Sequence, residues 1–174
     1  SHRLLHVRAW PLELVNGAPL DADFVADEIV QLREQVAPDL FTAFDPARFP
    51  TTSLPALSLA RAAYGQGTSL GEQVSVALRD ALFEQGRDIA STDVITQIAA
   101  AHNVDGPYEV DRAGIVADWE DGRRRGVQGS PHFFVNGAGF FCPALEIAHD
   151  GEHLKITANP ARFDAFLTQA FPAV

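Results

Sequence analysis

Gly126-Val127-Gln128-Gly129-Ser130-Pro131-His132-Phe133-Phe134-Val135-Asn136-Gly137 is the stretch that decides the fold. It reads as a loop ending in Ser-Pro, then a short apolar strand, then a tight turn at Asn136-Gly137. A proline just ahead of a strand removes a backbone donor and holds the residue before it in extended geometry. A cis Ser130-Pro131 bond is the expectation, since cis X-Pro bonds are specified features of tight turns. Such a bend presents the backbone of Ser130 outward, as an edge on which another peptide or a thiol can dock. Beyond the turn, Phe140-Phe141-Cys142 completes a hairpin.

Downstream, Leu145-Glu146-Ile147 and His153-Leu154-Lys155-Ile156 flank Asp150-Gly151, the pattern of a second hairpin. Asn159-Pro160 predicts a helix cap followed by a first-turn proline, and Phe163, Phe166, Leu167 and Phe171 form the apolar side of a final helix.

Upstream the period is helical. Phe24, Val25, Ile29, Leu32 and Val36 share one stripe, with Asp21 or Asp23 as cap and Pro38 as stop. A Pro- and Phe-rich connection leads to a helix over 53–64, closed by Gly65. Ser69-Leu70-Gly71-Glu72 has capping-box spacing and opens a helix that Gly86 ends. Ser91 begins a fourth helix, with Val94, Ile95, Ile98 and Ala101 on its stripe. A fifth is expected over 109–125, with Val110, Ala113, Val116, Ala117 and Trp119 inward and Arg123-Arg124-Arg125 complementing its C-terminal dipole. At the start, alternation through Leu5, Val7 and Ala9 predicts a strand over 4–14, bent or ended by Pro11. The order is one strand, five helices, several strands and one helix, which describes a sheet interrupted by a helical block.

Composition narrows the function classes. The 174 residues carry a net charge of −10, which argues against nucleic acid, whose binding needs clustered Lys and Arg. No apolar run reaches the length of a membrane span, and no charged-then-apolar leader is visible. The single cysteine, Cys142, excludes an internal disulfide or a Cys-x-x-Cys pair within these residues; it suits a reducing compartment, and a cytoplasmic location is the expectation.

The chain resembles the DsbA-like branch of the thioredoxin fold, which includes FrnE-type proteins and hydroxychromene-carboxylate isomerases. Trp10-Pro11-Leu12-Glu13-Leu14 is similar to that family's second strand and its exit. Leu82-Phe83-Glu84-Gln85-Gly86-Arg87-Asp88-Ile89 is similar to a passage of its helical insertion. Gly126 to Pro131 resembles its cis-proline loop, and Phe133 to Asn136 with Phe140-Phe141 resembles the strand pair that follows. The resemblance implies an α/β fold: a thioredoxin-like sheet from residues 1–18 and 127–174, with an inserted all-helical subdomain over 19–126. The family's N-terminal strand and active-site helix are missing from this sequence, so a Cys-x-x-Cys segment is expected upstream. The implied activity is thiol–disulfide exchange on a thiol- or disulfide-bearing protein or small molecule. Gly129, Ser130 and Pro131 would form the substrate side, with no catalytic residue in the chain itself. No metal or cofactor is implied beyond, at most, a low-molecular-weight thiol. A serine in place of the first upstream cysteine would instead indicate a thiol-dependent isomerase or transferase, and neither residue a non-catalytic binding module.

Other constellations have plainer readings. Cys142 is a candidate reactive thiol, but it sits in an apolar strand where free cysteine is commonly buried and inert. His132, Cys142, His149 and His153 match no compact zinc spacing. Asp80, Glu84, Asp88, Glu109, Asp111, Asp118, Glu120 and Asp121 read as a solvated surface. Phe41, Phe44, Phe49, Trp10 and Tyr64 are candidates for a groove where the insertion meets the sheet, with core packing the simpler role of each.

Overall fold

Three helices form the core of the molecule. The computed structural model describes residues 5–106, 109–150 and 153–172. Helices α1 (Leu12–Val15) and α2 (Ala22–Gln35) come first, followed by a short 3-10 turn at Pro46–Arg48. Helices α3 (Leu54–Gln66), α4 (Thr68–Phe83) and α5 (Thr92–Ala101) then pack on one another. Leu59, Ala63, Val74, Leu78, Ala81, Ile95, Ile98 and Ala99 interlock there with Ile89 and Val104 from the connections. Full burial of each large aliphatic among them is worth about 1.5–3 kcal/mol. The close approach of α3 to α4 depends on Gly71: a Cβ there would collide with the Tyr64 ring.

Helix termini follow local chemistry. Asp21 accepts from the Phe24 N–H at 2.9 Å, and Asp111 does the same for Gly114 at the start of α6 (Arg112–Arg124). Asn159 accepts from the Arg162 N–H to open α7 (Pro160–Ala170). The capping box expected at Ser69–Glu72 does not form. Gly67, at φ 160°, precedes α4 without a side-chain cap, so Ser69 already lies inside the helix and the Glu72 carboxylate accepts from the Leu5 N–H instead.

The strand expected over 4–14 is also corrected. Residues 5–11 have no strand partner, and Leu12–Val15 is one helical turn. The alternation behind that expectation is real, since Val7, Ala9 and Pro11 turn inward while Arg8 turns out. It records an extended segment lying on helices. Tyr64 Oη donates to the Leu5 carbonyl at 3.0 Å, His6 stacks on Tyr64 at 4.5 Å, and the Ala9 N–H donates to Asp118 at 3.2 Å.

The strands form two separate antiparallel pairs among the described residues. β1 (His132–Val135) pairs with β2 (Ala138–Phe141), with Phe133 opposite Phe140. Asn136 and Gly137 turn with φ of 51° and 86°, the positive values a two-residue type I′ turn requires. β3 (Leu145–Asp150) pairs with β4 (His153–Ala158); the Gly151 of the expected turn lies outside the described residues. Phe133 and Phe140 lean on Phe166 of α7 at 4.9 and 5.4 Å. α2 lies along β4, and its Gln35 amide imitates a neighbouring strand: Nε2 donates to the Leu154 carbonyl at 2.8 Å while Oε1 accepts from the Ile156 N–H at 2.9 Å.

Candidate functional site

The Gly126–Pro131 loop delivers the chain into β1, and its residues are positioned by the β1–β2 hairpin. The Ser130–Pro131 bond is cis. Ser130 and Pro131 are exposed. The Pro131 carbonyl accepts from the Cys142 N–H at 2.9 Å, which carries the hairpin ladder one step beyond β1. Gly129 is half-buried beneath Phe141; a Cβ there would stand 2.9 Å from the ring. Among the described residues neither the N–H nor the carbonyl of Ser130 has a hydrogen-bond partner.

Strand alternation extends that open edge. In a hairpin closed by a two-residue turn, Val135 and Phe133 exchange bonds with β2, so the backbone groups of His132 and Phe134 point away from it. No described residue covers them. The outer edges of β2 and β4 are treated differently: Arg162 of α7 donates to the Phe141 carbonyl, and Gln31 and Gln35 of α2 cover β4 at Leu154 and Ile156. β3 remains open at Ile147. An uncovered edge is a template for pairing with another chain.

The two faces of the hairpin are unlike. Phe133 and Phe140 are on the face toward α7. On the other, His132 stacks on Phe134 at 4.7 Å and tilts toward Phe141 at 6.0 Å, with Gly139 leaving space for both His132 and Phe134. The Arg125 guanidinium lies 5.4 Å from the centre of the Phe134 ring. His132 Nδ1 accepts from the Gln128 N–H at 3.2 Å, which ties the loop to the strand and leaves the proton of the neutral ring on Nε2. Desolvation holds the His132 imidazole below its ordinary pKa.

Cys142 is half-buried with φ 40° and lies beside Pro131, with no disulfide partner. Among the described residues no three His, Cys, Asp or Glu side chains stand together as metal ligands. The five candidate groove aromatics separate. Phe41 and Phe44 pack on Phe83, and Phe44 on Phe49; Tyr64 meets His6; Trp10 covers Gly122.

Asp118 corrects the reading of the acidic set as a solvated surface. It is 3% exposed and accepts from Arg8, from the Ala9 N–H and from Arg61. The buried residues of α6 are Ile115 and Asp118; of those expected inward, Ala113 and Ala117 are exposed, as is Val110 ahead of the helix, while Val116 and Trp119 are half-buried. Arg61 also donates to Asp111 at 3.1 Å. Burial alone would lower the Arg61 pKa, and its bonds to Asp118 and Asp111 reverse that and raise it; the Gly114 N–H, then Arg61, hold the Asp111 carboxyl below its usual range. A count of apolar residues by helical period passes over a buried carboxylate. The available signal was two arginines, Arg8 and Arg61, within elements that otherwise read as apolar.

No protein-family model, curated protein or solved structure matches the chain. No described helix is long and apolar enough to cross a membrane.

Proposed function

We propose that this chain is the substrate-docking part of a DsbA-like thiol–disulfide oxidoreductase whose Cys-x-x-Cys motif lies upstream of Ser1. The observation that carries the reading is the loop that ends at the exposed Ser130 and Pro131 and leaves the Ser130 backbone as an open edge, its N–H and carbonyl without a partner among the described residues. An extended partner chain is held at such an edge by main-chain hydrogen bonds, which tolerate many sequences.

Docking there sets a partner disulfide against the upstream thiolate. That thiolate attacks one sulfur; a mixed disulfide forms and the partner's other sulfur leaves as a thiolate. The second cysteine of the motif then attacks the mixed disulfide and releases the partner as a dithiol. The motif gains the disulfide the partner loses, and the reverse sequence oxidises a partner. In this scheme the present residues bind and orient. Cys142 is given no part in the scheme: it is half-buried and, as the single cysteine of these residues, has no resolving partner among them.

The test is the coding sequence ahead of Ser1, followed by an insulin-disulfide assay of the extended protein. Turnover that depends on both upstream cysteines is expected, with none from residues 1–174 alone. An upstream segment without cysteine removes the proposal: a serine there turns attention to isomerase or transferase chemistry, and neither residue to a binding module.

A further inference from the structure

We infer that the cleft between α4 and α5 is a binding site for a free α-amino acid with an aliphatic side chain. The cleft has a volume of about 310 Å³ and opens to solvent. Ala77 of α4 with Ile98 and Ala101 of α5 supply its apolar lining, and the two alanines leave space that longer side chains would fill. Asp80, Arg87 and Gln97 supply polar groups; Gln85 and His102 complete the lining. None of these residues belongs to the Gly129–Pro131 loop, so the inference stands apart from the thiol chemistry proposed above.

The cleft holds two opposite charges that do not neutralise each other. Among the described residues neither Asp80 nor Arg87 makes an ion pair, and the Asp80 carboxylate accepts no hydrogen bond. The carboxylate next to Arg87 in sequence is committed elsewhere: Asp88 Oδ1 accepts from the Ala90 N–H at 2.8 Å. Arg87 itself is held at both ends. Its backbone N–H donates to the Ala81 carbonyl at 2.8 Å, and its guanidinium donates to Gln97 Oε1 at 2.7 Å. The turn that carries it is fixed by Gly86, at φ 59°, where a Cβ would collide with the Ala43 carbonyl. One bond to Gln97 leaves the other donors of a planar fork that matches a carboxylate. Asp80, exposed in the last turn of α4, is the acceptor for an ammonium. A ligand that carries both charges satisfies both residues. A phosphate or dicarboxylate meets Asp80 as a like charge, and a polyamine meets Arg87 in the same way. The aliphatic side chain of the ligand then has Ala77, Ile98 and Ala101 to cover.

L-Valine and its two halves test this. Isovalerate lacks the ammonium, and isobutylamine lacks the carboxylate. Each is titrated against the isotope-labelled chain, with amide shifts read by NMR. Valine is expected to bind with a Kd of about 1 mM or tighter, to shift the Asp80, Arg87 and Ala101 amides saturably, and to exceed either half by about tenfold or more. Asp80→Asn and Arg87→Gln are each expected to weaken valine about fivefold or more. Isovalerate should bind Asp80→Asn no more weakly than it binds the native chain, a result that a damaged fold would not give. Asp80 is exposed, so this variant keeps the test decisive if the half-buried Arg87 is needed for folding. No saturable shift at about 10 mM valine, equal affinity for valine and either half, or indifference to both substitutions overturns the inference.

Discussion

The Arg61 guanidinium donates a 2.5 Å hydrogen bond to the Asp118 carboxylate, joining a side chain that is 30% exposed to one that is 2% exposed. Arg8 approaches the same carboxylate from the N-terminal segment at 2.5 Å and is 54% exposed. The three residues come from the extended segment, α3 and α6. They tie the N-terminal segment to the helices through a buried carboxylate, beside the Leu5 bonds to Tyr64 and Glu72.

The two arginines should differ in worth. Arg61→Ala leaves Asp118 buried with Arg8 and one backbone N–H, and breaking a buried pair from one side costs about 3 kcal/mol. Arg8→Ala leaves the Asp118–Arg61 pair intact and lets water reach the place Arg8 occupied, so its cost is about 1 kcal/mol. Urea denaturation of the two variants measures this. An Arg8 effect equal to or larger than that of Arg61 would show that the extended N-terminal segment, not α3, supplies the main counter-charge.

Gly71→Ala weighs two opposed effects. Alanine gains about 1 kcal/mol over glycine within a helix such as α4. The new methyl would collide with the Tyr64 ring close to its attachment, where the side chain cannot swing away cheaply. Overpacking of this kind costs about 1–3 kcal/mol, so net destabilisation is expected. Tyr64 also donates to the Leu5 carbonyl and stacks on His6, so faster exchange in residues 5–9 should accompany the fall in stability. A more stable variant would mean that α3 and α4 part without loss.

What could be read from the sequence depended on how local the cause was. Asp21 and Asn159 cap helices because a short side chain meets the N–H three residues on; the Asp111 cap was missed because the helix was expected to begin at Glu109. The Asn136-Gly137 turn is equally local. The Ser69–Glu72 box has the same form on paper, but Leu5, distant in sequence, claims Glu72. Residues 5–11 alternate as a strand does, yet their partners are helix side chains. Of the candidate site, Gly129, Ser130 and Pro131 were legible as a loop; the neighbouring His132–Phe134–Arg125 stack was not, because it needs the pleat of β1 and the end of α6 to meet.

Gln35 holds β4 by two side-chain bonds to its backbone. Gln35→Ala should cost about 1 kcal/mol, since both β4 groups can turn to water. Its larger effect is expected locally, as faster amide exchange at Ile156, and in self-association, because an uncovered edge invites pairing. Sedimentation at rising concentration checks the second outcome. Unchanged exchange at Ile156 would assign edge protection to Gln31, which accepts from Leu154 at 2.5 Å.

His132 predicts a pH dependence whose sign follows from its surroundings. Desolvation lowers its folded-state pKa below the ordinary 6.5, so the unfolded chain takes up the proton first as pH falls. The unfolded state then binds more protons, and stability falls with falling pH. The contribution is therefore complete above about 6.5 and declines through the interval between that value and the lowered folded pKa. Below the folded value the ring is charged in both states, and Nδ1 no longer accepts from the Gln128 N–H, the bond that the structure shows at 3.2 Å. Urea midpoints should fall more steeply from pH 7 to pH 5 in the native chain than in His132→Phe, and the Gln128 amide should exchange faster at the acid end relative to its intrinsic rate. A native profile that stays parallel to that of His132→Phe across this interval would mean that the imidazole is hydrated, and that the loop reaches β1 without its help.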